Sequence, residues 1–553
     1  VTHQSFSFLT KELPKCGKAL QQSLELGYFV FPGVFKRNPK TNLPVTFGKL
    51  YERIFNSDGT LRQDADHSAI QSLYQVFFMF YKLEFEFKEE DVDRCVEKFK
   101  SVCEDNKQPL SSQLFRILKP HVKSIIHKVL KKLNLEDIRP HHGPGAVATG
   151  EKPHEKYSFK RYYSELNSIY PFGDYFTVGS QRRLDHDFRT FKREYLASGS
   201  AKLIAVNKDS RGPRLISAEP LEYQWIQQGQ EELFVELLES SRYVGGRINF
   251  RDQSINQQLA VQSSVDRKLA TTDLAEASDR VRLDVFNSLF PEHVRIFLNA
   301  SRSHNTSSPK GEEIELTMFA PMGSAMCFPV LSLTVWAITL ATQRYFGRQM
   351  GVERDEIESV FTYGDDLISS TALVGFVHDA LEAFGFRVNR EKSFHKGYFR
   401  ESCGSDAFKG TLLNPIRIKK VIPRKRADSS SIAAYHAYSE SFFLNGYWET
   451  ASAIDRIFEK LHIFRPALNY LYNSAGLVKS TFSSGTSATV KYNKDYQRNY
   501  FRCLFVVPKG VKQIKKDWDR LFKGIICPSK GFLSGDEVQV RRSTYLKFGK
   551  VYV

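Results

Sequence analysis

No two of the seven cysteines (Cys16, Cys95, Cys103, Cys327, Cys403, Cys503, Cys527) form a C-x-x-C pair, and their number is odd. That spacing excludes a zinc ribbon and a disulfide framework, and it points to a reducing compartment. Long apolar runs are also missing. The nearest, Cys327–Ala341, is interrupted by Pro329, Ser332 and Thr334 and falls short of the roughly 20 residues a membrane span needs. It reads as a buried helix. Val1–Thr10 is polar and lacks the apolar core of a signal peptide. No internal repeat is present, which sets solenoid architectures aside. An acidic surplus is absent too: 79 Lys and Arg against 62 Asp and Glu leave a net charge of +17 over 553 residues. A surplus of that size attracts polyanions, nucleic acid first among them.

What is present is globular. Hydrophobic residues make up 41% and charged residues 25%, which excludes a disordered chain, and the length suggests two to four domains or subdomains. The region 1–255 reads as mainly helical. Val122, Ile125, Ile126, Val129, Leu130 and Leu133 repeat at the helical period, with Lys119-Pro120-His121 at the expected helix start. Gln71–Leu83 is a second helix candidate with core aromatics, and His141-His142-Gly143-Pro144-Gly145 is a loop without a third metal ligand nearby. Residues 256–420 alternate strand and helix patterns. From Val421 onward Arg424-Lys425-Arg426 and Ser429-Ser430-Ser431 read as a linker-like break, and 421–553 as a C-terminal region. Ser480–Thr489 reads as a loop. Beyond it lie basic residues interleaved with aromatics (Lys491, Tyr492, Tyr496, Arg498, Tyr500, Phe501, Arg502), a mixture suited to single-stranded nucleic acid.

The chemistry centres on Thr362-Tyr363-Gly364-Asp365-Asp366-Leu367-Ile368, adjacent acids between two β-prone flanks. Gly364 occupies the position where a type II′ hairpin turn wants positive φ. Side-by-side carboxylates repel, and hard oxygen ligands suit Mg²⁺ held together with substrate phosphates. A solvated Asp-Asp turn is the plain alternative. Leu269–Leu274 reads as a strand carrying Asp273 at its end, followed by Ala275–Asp279 as a helix opening. Asp273 could meet Asp365 and Asp366 across neighbouring strands, and three carboxylates can hold two Mg²⁺ ions. As an alternative, Asp273 is a helix N-cap. Ala320–Phe328 contains Gly323-Ser324-Ala325, a loop that permits close approach of a nucleic-acid strand. Upstream, Lys202, Lys208, Arg211 and Arg214 crowd a partly strand-like segment suited to a triphosphate.

This order of motifs resembles the viral RNA-dependent RNA polymerases, and more closely the replicase catalytic subunit of the single-stranded RNA bacteriophages, the levivirus family. Asp252–Gln257, Ala270–Asp279, Tyr363–Asp366 and Phe399-Arg400-Glu401-Ser402-Cys403-Gly404 carry the resemblance, with Ala218-Glu219-Pro220 and Gly143–Ala146 in support. It covers roughly residues 140–415. It departs from the better-known phage replicases at Cys327-Phe328-Pro329, where they have Thr-Phe-Glu.

The resemblance implies an α+β right-hand polymerase. Residues 1–255 would form the N-terminal region and fingers, 256–420 a palm with an antiparallel sheet, and 421–553 the thumb and C-terminal region. It implies Asp273, Asp365 and Asp366 as ligands of two Mg²⁺ ions, with Mn²⁺ a possible substitute. Lys208, Arg211, Arg214, Asp279 and Ser324 would face the nucleotide, Gly323 and Lys202 the RNA, and Lys392 would give a proton to pyrophosphate. Expected partners are a single-stranded RNA template, the nascent RNA and ribonucleoside triphosphates. Bacterial elongation factors Tu and Ts and a ribosomal RNA-binding protein are implied as well, in the cytoplasm of an infected bacterial host with no membrane. Two rivals are a reverse transcriptase, which shares the palm and acidic hairpin, and a basic RNA-packaging protein without catalysis. The packaging reading leaves the acidic hairpin unexplained.

Overall fold

The computed structural model describes residues 6–153, 155–177, 193–209, 212–471, 474, 476–484, 486–508 and 544–552. The chain is a mixture of helices and short sheets. Its largest core surrounds one apolar helix, Cys327–Gln349 (α1), whose residues Val330–Gln343 are all buried. The expected buried helix is therefore present and runs eight residues past Ala341. Against it pack the helices Gln113–Leu130 (α2) and Val374–Ala383 (α3). The periodic residues Val122, Ile125, Ile126, Val129 and Leu130 face that core as expected. The start does not fall at Lys119–His121: α2 begins seven residues before Pro120 and carries it internally. A Pro inside a helix costs about 3 kcal/mol. Burial of Leu118 and Val122 on either side of it outweighs that local penalty.

On this core lies a three-stranded antiparallel sheet of Leu269–Thr272 (β1), Phe361–Tyr363 (β2) and Asp366–Ser370 (β3), in the order β1-β3-β2. Leu367 pairs with Thr272 and Asp366 with Tyr363. A second, four-stranded sheet contains Ser200–Asp209 (β4) and Gly212–Ala218 (β5), so the basic segment is a hairpin inside the mainly helical first half, which also holds the short parallel pair Arg161–Tyr163 and Glu194–Leu196.

A second core joins the N-terminal helices Leu13–Leu26 (α4) and His67–Phe78 (α5) to Phe394, Phe399, Phe408 and Leu413. Helix α5 covers most of the predicted Gln71–Leu83. It starts earlier because Asp66 caps it, accepting from Ser68 N at 2.8 Å and Ala69 N at 3.2 Å. The hairpin Phe399–Ser402 (β6) and Ser405–Phe408 (β7) thus rests on residues more than three hundred positions earlier in the chain.

Ser429–Ser431 do not form a linker. They are the first turn of helix Ser429–Leu444 (α6), and Asp428 ahead of it closes the preceding turn by accepting from Arg424 N at 2.9 Å and Lys425 N at 3.2 Å. Helix Trp448–Lys460 (α7) packs on α6. Three antiparallel strands follow: Lys491–Asn493 (β8), Arg498–Pro508 (β9) and Thr544–Tyr552 (β10). The predicted loop at Ser480–Thr489 opens with the end of a short strand, Lys479–Thr481. No described helix is long and apolar enough to cross a membrane.

Candidate functional site

Two strand ends bring the acids together. Asp273 directly follows β1, and the β1–β3 register places that position level with Asp366. Between β2 and β3 the chain reverses over Gly364 and Asp365. Gly364 has φ +67° while Asp365 does not share a positive φ, which fits the II′ turn read from the sequence. A side chain at Gly364 is barred a second way: a Cβ there would lie 2.2 Å from the Phe328 ring. Phe328 itself packs between Tyr363 and Phe250, and Gly364 N donates to Ser332 Oγ at 3.1 Å. Helix α1 therefore fixes the turn that presents the two acids.

The acids crowd one another. Burial pushes the Asp366 carboxyl up to about 7, with repulsion from Asp365, Glu401 and Asp273 added to it. Asp365 stands exposed at the tip, yet surrounding protein withdraws enough water, and Asp273 adds enough repulsion, to raise its carboxyl above the usual range. Lys392 and Arg214 act in the opposite direction on Asp365. Asp273 is better supplied: its Oδ2 accepts from Asn389 Nδ2 at 2.7 Å and lies 3.4 Å from Lys392 Nζ. Burial works against the charge on Lys392, but Asp273 and Glu401 outweigh it and raise its affinity for the proton. Such a set of hard oxygen donors, short of positive charge, fits a divalent cation. As they stand, no three such side chains among the described residues are drawn together into a ready metal cluster.

The surroundings are a scaffold. Helix Ser254–Asp266 reaches the hairpin through Asn256, which donates to Asp366 O at 3.3 Å, and the next loop through Gln257, which donates to Cys403 O at 3.1 Å. Cys403 N in turn donates to Asp366 Oδ2 at 3.2 Å. This explains why Asp252–Gln257 and Phe399–Gly404 sit in the same set of motifs. Glu401 pairs across β6–β7 with Asp406, and burial raises both; repulsion from Asp273 adds to the rise at Glu401, and repulsion from Glu401 helps carry Asp406 to about 8.

Glu25, at the end of α4, accepts from His395 N and Lys396 N at 2.5 Å each and from Gly397 N at 3.1 Å. Arg400, fully buried beside Glu25, donates to Leu269 O at 2.7 Å and so ties this loop to the start of β1. None of Glu25, Asn389 and Glu401 stood out as a site residue from sequence. Asn389 and Glu401 lie in stretches that carry the resemblance or flank Lys392, whereas nothing local marks Glu25.

The expected helix opening at Ala275–Asp279 is not there. Leu274–Ala275 instead forms a two-residue strand paired with Arg387–Val388, Glu276 turns the chain at φ +48°, and Ser278–Arg280 is a single 3₁₀ turn. Left-handed Glu276 is incompatible with helical propagation and is held by ion pairs with Lys98 and Arg280. Asp279 and Asp365 both act on the Cys327 thiol, and burial pushes the Asp279 carboxyl up to about 6 against the Ser278 hydroxyl, which donates to it at 3.2 Å.

The Gly323 loop leans on β5. Gly323 has φ +124°, a Cβ there would lie 2.2 Å from Ser217 O, and Ser217 N donates to Met322 O at 2.7 Å. Ser324 is buried and its hydroxyl donates to Gln227 Oε1 at 3.1 Å, pointing it away from solvent. Lys202, Lys208 and Arg214 are exposed on β4 and β5, and of these Arg214 is near enough to bear on Asp365. Arg211 lies outside the described residues.

The family described as RNA replicase, beta-chain, matches residues 182–428. The RNA-directed RNA polymerase beta chain of Escherichia phage MS2 is 36% identical over 220 residues, which are 40% of this chain and 38% of that protein. The corresponding chain of Enterobacteria phage fr is 36% identical over 40% of this chain and 38% of its own length, and the beta subunit of Escherichia virus Qbeta 31% over 39% and 35%. These alignments span less than two-fifths of the length of the relatives. Among solved structures, the BmCPV RNA-dependent RNA polymerase at quiescent state aligns over 84% of this chain and 44% of that chain, with TM-score 0.46 and 10% identity. Over residues 182–428, which hold the acidic sheet, its hairpin and the basic β4–β5 segment, the chain is similar to the RNA replicase beta-chain family and to the polymerase beta chains of phages MS2 and fr.

Proposed function

We propose that the protein is an RNA-dependent RNA polymerase that copies a single-stranded RNA phage genome from ribonucleoside triphosphates. The observation that carries this reading is the meeting of Asp273 with Asp365 and Asp366 at adjacent strand ends, the last two crowded enough to hold their protons more tightly, beside Lys392 and Arg214.

Asp273, Asp365 and Asp366 would hold two Mg²⁺ ions, or Mn²⁺ in their place, which polarise the growing strand's 3′ hydroxyl and offset charge on the departing phosphates. The 3′ hydroxyl gives up its proton to solvent, its oxygen attacks the α-phosphorus, the bond to the bridging oxygen breaks, and pyrophosphate leaves. Lys392, held by Asp273, gives a proton to the leaving pyrophosphate. Lys208, Arg211 and Arg214 neutralise the triphosphate, while Lys202 and the Gly323 loop contact the RNA. Asp279 senses the ribose. Ser324 would join it only by exchanging its bond to Gln227. In this reading 1–255 form the N-terminal region and fingers, 256–420 the palm and 421–553 the thumb and C-terminal region. By likeness to the phage chains, the working enzyme acts in the cytoplasm of the infected host with elongation factors Tu and Ts and a ribosomal RNA-binding protein.

Asp365→Asn should lower ribonucleotide incorporation on a primed template by at least about a thousandfold while RNA affinity stays within about twofold. Near-normal synthesis by this variant in Mg²⁺ would refute the assignment. Supplying only deoxyribonucleotides separates this function from a reverse transcriptase.

A further inference from the structure

The polymerase reading leaves the C-terminal sheet without a task. Its two faces are covered unequally. One face presents Phe501, Cys503 and Val551, which are buried against Leu468 and Val478. On the other face Leu504, Val506 and Leu546 pack under α6 and α7. That helical cover stops partway along the sheet.

Past it, on the same face by strand register, stand Lys491, Tyr500, Arg502, Lys550 and Tyr552. Lys491 pairs with Tyr500, Tyr500 with Tyr552 and Arg502 with Lys550, so these side chains form one continuous patch. The rings of Tyr500 and Tyr552 lie 5.8 Å apart, and Tyr496 from the β8–β9 turn stands 5.5 Å from Tyr552 while 69% exposed. Lys550 Nζ sits 4.6 Å over the Tyr500 ring. Asn493 Nδ2 donates to the Tyr552 hydroxyl at 2.9 Å and fixes that ring.

The charge is one-sided. The three strands and the β8–β9 turn carry Lys491, Lys494, Arg498, Arg502, Lys547 and Lys550 against Asp495 alone. Among the described residues none of Lys491, Arg502 and Lys550 is paired with a carboxylate. Unneutralised cations around ordered, accessible rings match a phosphate backbone with unpaired bases. A protein partner would more typically meet an apolar centre with charge at the rim; here cations stand among the rings.

We infer that this sheet face is a second nucleic-acid site, separate from the acidic centre, that binds single-stranded RNA by stacking bases on Tyr500, Tyr552 and Tyr496. Lys491, Arg502 and Lys550 track the phosphates. The inference does not depend on catalysis at Asp365.

The test uses the full chain and a fluorescein-labelled unstructured oligoadenylate of about twenty nucleotides, with an abasic ribose-phosphate strand of equal length as control. Arg502→Ala/Lys550→Ala should weaken oligoadenylate binding about tenfold and reduce the salt slope of log affinity by about 1.4. Tyr500→Leu should weaken oligoadenylate several-fold and leave the abasic strand within twofold. Circular dichroism and thermal melting select variants that remain folded. In the parent chain, photocrosslinking with 4-thiouridine RNA should label peptides within 491–502 and 544–552. Unchanged affinity in both folded variants, equal loss for the abasic strand in Tyr500→Leu, or crosslinks confined to peptides around the acidic hairpin would overturn the inference.

Discussion

Below the acidic sheet, His378 shows how strictly a single side chain can be conditioned. Its Nε2 lies 2.9 Å from Thr272 Oγ1, one residue before Asp273, and the side chain is buried. Burial, then repulsion from His395 and Arg390, lowers its proton affinity to about 4. An unfolded chain takes that proton near pH 6.5. The folded form is thus fully favoured above that value and loses stability as pH falls from about 6.5 to about 4, by about 1.4 kcal/mol per unit at most. His378→Asn should flatten this part of the stability profile, measured by urea unfolding at pH 7 and pH 5. An unchanged slope would show that the ring is not what the acid attacks. Asp273 was legible at this scale because an acid at a strand end before a break is a local pattern. Asn389, its closest hydrogen-bond partner, was not, since their proximity depends on a strand pair formed across more than a hundred residues.

Among the elements, the acidic hairpin was the most legible, because turn chemistry and β-prone flanks are adjacent in sequence. Its dependence on α1 was hidden. Gly364→Ala imposes a left-handed backbone costing about 1–2 kcal/mol and drives a methyl into Phe328. Incorporation should fall by at least about tenfold, and Gly364→Ala/Phe328→Leu should regain part of it if the clash outweighs the backbone strain. Single-turnover incorporation on a primed template measures both; a fully active Gly364→Ala would show that the turn tolerates more than its geometry suggests. The misread segment, Ala275–Asp279, fails for a reason no local propensity contains. Leu274 and Ala275 are claimed by Arg387 and Val388, and that pairing wins over an Ala-rich helix start. Helix α2 likewise overrides Pro120 because its buried face is worth more than one lost hydrogen bond.

Across the whole molecule, the N-terminal helices share a core with the β6–β7 hairpin and grip the loop between Lys392 and Glu401. That places α4 in the support of the candidate site despite its distance along the chain. Glu25→Gln weakens the acceptor of three backbone amides and leaves buried Arg400 without its nearest carboxylate. The expected loss is about 2–4 kcal/mol of stability. In the folded fraction, kcat should fall several-fold with the KM for nucleotide little changed, because the loop supports Asp273 and Lys392 more than the triphosphate segment. Denaturant titration with steady-state kinetics measures both, and a KM effect alone would assign Glu25 elsewhere. The charge surplus and helical first half could be read without coordinates, but this tether could not, because its two ends are unrelated in sequence.

The clamp made by Glu25 also has a temporal side. Its carboxylate and the amides it receives are 370 to 372 positions apart. At ordinary translation rates of about 5–20 residues per second, the ribosome needs roughly 20–70 seconds to supply the second half. Until then the opening helix carries an unsatisfied acid and an uncovered apolar flank. In a nascent chain the clamp therefore closes only once residue 397 has been made, long after the helix that carries Glu25.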